Sequence, residues 1–575
     1  MHSNFSGRPA PAHSHALTHF ILLMTLLALT GCAQPSAVIA PMPVTETAAP
    51  EPLATATAPP LATPTLQPTA TPDVELSLWV SPLVPAEMSA GLGLPAEMAR
   101  VGRKEEATLW LDLAGSRTVE SAGEGAYILA LAAPFQTVSD GVSAASLKRA
   151  WRGQPPRDFA GAPLLMDEDT LALLTAWWGA PAPNSTRVVD AEKLLDQAWQ
   201  TAPAWAILPF EKIEPRWKVL RVDGISPLER AFDPADYALA VPFRLTGEAG
   251  AIRALREQAG GDIPIRGNRD PAKLTVLAMT GVTALARGTA QTMEREGITY
   301  PGRDIGPWLA GADLTHISNE VSFADDCPPG RPDARFCSPT RYIGLLESVG
   351  TDIVELTGNH NLDWGPEAYL HTLKLYQERG WKVYGGGETP AAARRPLRVE
   401  HNGNRLAFLG CNAAGPVGAW AGPYQPGAAA CDFDALEDEI RQLAGEGYLP
   451  VVTLQHVETD GYQPAVAQNM PDFRRLAQAG AVIVSGSQSH YPQTMTFVGQ
   501  NFVHYGLGNL FFDQTEPLAT RQAFIDRHVF YDGRYLGVEL LTTLLEDAAR
   551  PRLMTTEERA ELLQTIFDLC IWVNN

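Results

Sequence analysis

A series of polar positions in the second half of the chain carries the residue types from which metal and acid–base sites are made. They are Asp313, Asn319-Glu320, Gly358-Asn359-His360-Asn361-Leu362-Asp363-Trp364-Gly365, His456, Gly486-Ser487-Gln488-Ser489-His490 and Gly506-Leu507-Gly508-Asn509. Imidazole, carboxylate and amide oxygen bind divalent cations, and a histidine beside a carboxylate can move a proton. Most of these positions come after short apolar runs of strand character, at 274–279, 353–356, 405–409, 450–454 and 481–484. A helix is predicted over 367–379, directly after the Asn-His turn. In open α/β sheets, ligands bind beyond the carboxyl ends of the strands, so strands ending in Asn or His can gather ligands from distant parts of a sequence.

Taken in this order, the motifs resemble the capsule-synthesis CapA family, which is linked to poly-gamma-glutamate biosynthesis and related to calcineurin-like metallophosphoesterases. The resemblance runs from about 273 to 512, with a family-like tail to about 572. Its most specific part is Asn359-His360-x-x-Asp363-x-Gly365 between a strand and a helix. It implies a calcineurin-like α/β sandwich. It also implies a metal site with Asn319, Glu320, Asn359, His456 and His490 as ligands, His360 as general acid, and Asp313, Asp363, Gln488 and Asn509 beside them. Each has a plainer reading too: Asn359 satisfying strand-end backbone, Asp363 capping the helix, His360 bonded to Asp363, Asn509 fixing a turn.

Two departures bear on the metal. The family's first strand ends in Gly-Asp-x-x-Leu-x-Arg, whereas this chain reads Gly281-Val282-Thr283-Ala284-Leu285-Ala286-Arg287. The family's last metal loop reads Gly-His-His-Pro-His, and here it is Gly486-Ser487-Gln488-Ser489-His490. An anionic ligand and two imidazoles are gone, and neutral oxygens bind more weakly. The expectation is one divalent metal (Mn, Zn or Mg) or none, not a two-metal hydrolase. The expected role is binding or acting on an anionic extracellular polymer in capsule synthesis. A non-catalytic ligand-binding lipoprotein is the second reading, and a metal-dependent phosphoesterase the third.

The rest of the chain sets the context. An apolar run at 20–29 comes after Arg8 and ends in Leu29-Thr30-Gly31-Cys32, a lipoprotein signal with Cys32 as the lipidated residue. Residues 33–73 are rich in Pro, Thr and Ala and read as an extended tether. The expectation is an exported membrane lipoprotein on the extracytoplasmic face. Residues 74–267 alternate strands with helices, predicting a mostly parallel sheet that weakly resembles the type II periplasmic binding fold. There, a helix beginning near Ser139–Ser143 offers either an anion site or an ordinary cap, and Trp151, Trp177 and Trp178 read as core. The capsule-synthesis-like domain is placed at 272–575. A formal charge of -21 argues against nucleic acid as a partner and leaves an anionic polymer or a small extracellular ligand. In an exported protein, Cys327/Cys337 and Cys411/Cys431 read as disulfides stapling loops, each worth roughly 2–3 kcal/mol, with Cys570 free.

Overall fold

The strand Leu274–Thr283 is buried along its whole length because both of its faces are covered. Leu277 and Met279 face one hydrophobic core, while Val276 and Ala278 face another. This is the period-2 alternation of a strand in the middle layer of a stack. The computed structural model describes residues 75–572 apart from 95–97, 116–119 and 158. The signal, Cys32 and the tether lie outside the described residues.

Leu274–Thr283 is central to a sheet ordered Lys382–Tyr384, Ile353–Glu355, Leu314–Asn319, Leu274–Thr283, Gln522–Tyr531, Arg534–Glu546 and Arg550–Leu553. The first four strands run parallel, and Asn509–Phe511 joins the carboxyl half of Leu274–Thr283. The facing sheet is ordered Leu397–His401, Asn404–Asn412, Leu449–Gln455, Ile483–Gly486, Asn501–His504 and Met495–Val498, and its middle four strands are parallel. Leu277, Met279 and Ile353 from the first sheet meet Phe408, Val451, Ile483 and Phe502 from the second in one core. Two parallel-centred sheets with facing cores are the α/β sandwich that the motifs imply.

The N-terminal region forms a separate ten-stranded sheet. The prediction of a mostly parallel sheet gives way here to a mixed one. The 14-residue strand Ser121–Pro134 pairs antiparallel with Ala240–Gly247, Ala206–Pro209 and Trp217–Val222, and the parallel pairs lie towards the edges. The helix Ala144–Trp151 is capped: Ser146 N–H donates to Ser143 Oγ at 3.1 Å, and Ala144 N–H donates to Asp223 Oδ1 at 3.0 Å. A carboxylate of the chain itself thus occupies this helix start, so the capping reading holds. Trp151 is fully buried, as expected of core.

Both predicted disulfides are present, Cys327–Cys337 and Cys411–Cys431, and Cys570 is free. Among the described residues, no helix is long and apolar enough to cross a membrane.

Candidate functional site

The parallel strands of both sheets deliver their polar ends to one place. Glu320 N–H donates to Thr283 O at 3.1 Å, tying the first two strand ends together. Gly358 packs against Glu320 so closely that a Cβ there would lie 2.4 Å from the Glu320 Cβ, so only glycine allows the Asn-His turn this approach. From the second sheet, Asn412 Nδ2 donates to Thr357 O at 3.0 Å, and the Ser487 and Thr357 hydroxyls are 3.1 Å apart.

Around this junction, buried oxygens find no hydrogen-bond donor among the described residues: Thr283 Oγ1, Asn319 Oδ1, Glu320 Oε1, Asn359 Oδ1 and Gln488 Oε1. An unpaired buried acceptor costs free energy, and here several lie together at the strand ends. Asn319 is held by its amide, which donates to Val321 O and to Tyr376 Oη at 2.8 Å each. Burial pushes the Glu320 carboxyl above the ordinary range, and His360 and His490 partly offset this.

His360 and His490 each keep one nitrogen fixed. His360 Nδ1–H donates to Asp363 Oδ2 at 2.8 Å, and the same oxygen accepts Phe336 N–H at 2.9 Å. Burial of the His360 ring works against its protonation, but the bond to Asp363 and the Glu320 charge outweigh it and raise its pKa. Asn509 donates its amide to Thr520 O at 2.9 Å, so its Oδ1 accepts from His490 Nδ1–H at 2.7 Å. The free His490 Nε2 lies 4.0 Å from Glu458.

Two expected members are elsewhere. Asp313 precedes Leu314–Asn319, roughly 20 Å of strand away from Asn319. Its carboxylate accepts Val276 N–H at 2.8 Å and pairs with Arg230 at 2.9 Å, so it ties the amino end of the sheet to the N-terminal region. That assignment is corrected: Asp313 is a structural cap. His456 comes after its strand as expected, but Nε2–H donates to Asp472 at 2.9 Å and Nδ1 accepts Val457 N–H at 2.7 Å. Neither nitrogen is presented to the junction. Among the described residues, no three His, Cys, Asp or Glu side chains stand close enough to share a metal.

Glu355 is the site residue that sequence reasoning missed. It is 1% exposed at the end of Ile353–Glu355, and its carboxyl accepts from Ser318 Oγ at 2.6 Å, Thr357 N–H at 3.0 Å, the Thr357 hydroxyl and Ser487 Oγ at 3.4 Å. Burial drives its pKa up to about 7 against these donors. The signal was available: a carboxylate within Ile353-Val354-Glu355-Leu356 is rare in a buried strand unless it is partnered. At Val282, where the family's carboxylate would stand, an apolar cluster with Ala284, Phe336 and Phe512 fills the position.

Facing sheets with polar strand-end loops at one junction define a protein of the calcineurin-like α/β sandwich class. Residues 276–514 match the family described as bacterial capsule synthesis protein PGA_cap. It is 26% identical over 292 residues to the capsule biosynthesis protein CapA of Bacillus anthracis, covering 49% of this chain and 71% of that protein. To the PGA biosynthesis protein CapA of Bacillus subtilis it is 19% identical over 259 residues, covering 44% and 68% respectively. A probable polyglutamine synthesis accessory protein of Mycobacterium tuberculosis is 25% identical over 224 residues, covering 36% of this chain and 56% of that one.

Proposed function

We propose that this protein serves capsule or poly-gamma-glutamate biosynthesis at the extracytoplasmic face, anchored by lipid on Cys32, and binds an anionic polymer at the strand-end junction. The carrying observation is the group of unanswered oxygens on Asn319, Glu320, Asn359 and Gln488, beside His360 and His490 in a CapA-like domain. These donors suit one weakly held divalent cation, with Glu320 the single carboxylate, His490 Nε2 the imidazole and the amide oxygens completing the set. When bound, such a cation would polarise an oxyanion of the ligand. The residues of the chain then have separate tasks. Gly358 lets the turn approach, Asp363 and Asn509 fix the two imidazole tautomers, and His360 Nε2 is left to hold or pass a proton.

With Val282 among apolar side chains and Ser487 engaged with Thr357, compensation for a second dication is lacking. Binding without rapid turnover therefore fits better than phosphoester hydrolysis. Retention of γ-linked polyglutamate by the immobilised protein checks this. Retention should fall on chelation and return with Mn, while aryl phosphate hydrolysis stays at background. Equal retention of neutral dextran would count against the proposal.

A further inference from the structure

Arg287 lies in the same junction and is held in an unusual way. It begins the helix Arg287–Glu296 with φ at +46°, a backbone region that side chains other than glycine seldom adopt. Its guanidinium covers two rings at once, at 4.8 Å from the Phe336 centroid and 4.9 Å from that of Phe512. Those same rings carry the two histidines: His360 packs on Phe336 at 4.3 Å, and His490 stacks on Phe512 at 4.6 Å. Arg287 therefore shares one ring with each imidazole.

Asp513 orients it without using it up. Arg287 Nε and Nη2 both donate to Asp513 Oδ1, while Asp513 Oδ2 accepts Gly288 N–H at 2.8 Å. Nη1 has no acceptor among the described residues, and the side chain stays 27% exposed. A planar guanidinium fixed by stacking, with donors left over, suits a carboxylate or phosphate better than the mobile ammonium of lysine does.

We propose that Arg287 is the anion-recognition residue of this site, taking an oxyanion group of the ligand through its free edge between His360 and His490. This rests on the anionic-polymer reading and adds the residue that reads the charge. The test is calorimetric titration of the full chain with a γ-linked glutamate octamer bearing free α-carboxylates, and with the same octamer as α-amides. The variants are Arg287→Lys, which keeps a charge for Asp513, and the double variant R287M/D513N, which removes both charges. The wild type should bind the acid octamer and prefer it over the amide. Both variants should weaken acid-octamer binding by about tenfold while leaving amide binding and metal content unchanged.

Unchanged acid binding in both variants overturns the proposal and leaves the polymer reading standing. Equal losses for acid and amide also overturn it, since they make Arg287 a structural residue. If the wild type binds neither octamer, the polymer reading falls. Inorganic phosphate raising the thermal midpoint of the wild type but not of Arg287→Lys would then still sustain the anion site, and failure of that shift would sink both.

Discussion

Two regions of this molecule gather charged and polar groups, and they differ in how far those groups are answered. One is a cleft of about 490 Å³ between the N-terminal sheet and the outer face of the sandwich, lined by Asp140, Lys218, Arg221, Glu539 and Arg559 among others. There, Arg559 grips Asp140 with two bonds of 2.6 and 2.8 Å, Lys218 meets Asp140 at 2.8 Å, and Arg221 reaches Glu539 at 2.6 Å. The other is the strand-end junction, where Glu320, Asn319, Asn359 and Gln488 keep oxygens with no donor among the described residues. The charges of the cleft are largely paired with one another, whereas the junction gathers several buried oxygens without a donor among the described residues.

Glu355 gives the largest expected effect, since it is an answered carboxyl inside the unanswered region. Glu355→Ala strands the Ser318, Thr357 and Ser487 donors and should cost about 3 kcal/mol in denaturant unfolding. Glu355→Gln should be tolerated and should remove this group's share of the pH dependence. The folded carboxyl has its pKa raised to about 7, so its stabilising contribution is complete below the unfolded value and is lost as pH rises through 7. The glutamine variant cannot titrate, so its stability relative to wild type should climb by about 2 kcal/mol between pH 5 and pH 8. A flat difference would mean that Glu355 is ionised throughout.

The cleft should yield a smaller loss. Arg559→Ala removes the bidentate partner of Asp140 and a bond to Leu540 O, and a decrease of about 1–2 kcal/mol is expected because the pair is partly exposed. Added salt should narrow the gap between this variant and the wild type. The smallest effect should have the opposite sign. Glu320→Gln replaces a buried carboxyl whose Oε1 lacks a donor, so stability should rise by up to about 1 kcal/mol, more at pH 8 than at pH 5, while cation affinity falls. If Glu320→Gln destabilises as much as Arg559→Ala, the contrast between the two regions fails.

Much of the junction's make-up was legible in the sequence, because the Gly358-to-Gly365 turn and the loops at 486–490 and 506–509 are local, and short spacings decide which polar residues cap a strand end. The disulfides were legible for the same reason. The features that were not legible depend on contacts between distant segments. Asp313 lies six positions before Asn319, yet the extended strand between them carries it to the opposite end of the sheet. His456 looks like a ligand until Asp472, on the helix Asn469–Ala479, takes its Nε2. Arg287 gains its setting only when Phe336 and Phe512 arrive from separate loops. In the N-terminal region, alternating strands and helices suggested parallel pairing, and the long strand Ser121–Pro134 instead accepts antiparallel neighbours.

On the proposed reading, the junction keeps a ligand-ready oxygen set without the charge needed for two metals. Elemental analysis of the full chain, equilibrated with Mn, Zn or Mg and then desalted, tests it most directly. At most one cation per chain is expected, removed by mild chelation and weakened by Glu320→Gln. A higher metal content is expected once Val282→Asp, Ser487→His and Gln488→His are introduced together. Two tightly held cations per wild-type chain, accompanied by robust phosphoester hydrolysis, would contradict the proposed reading.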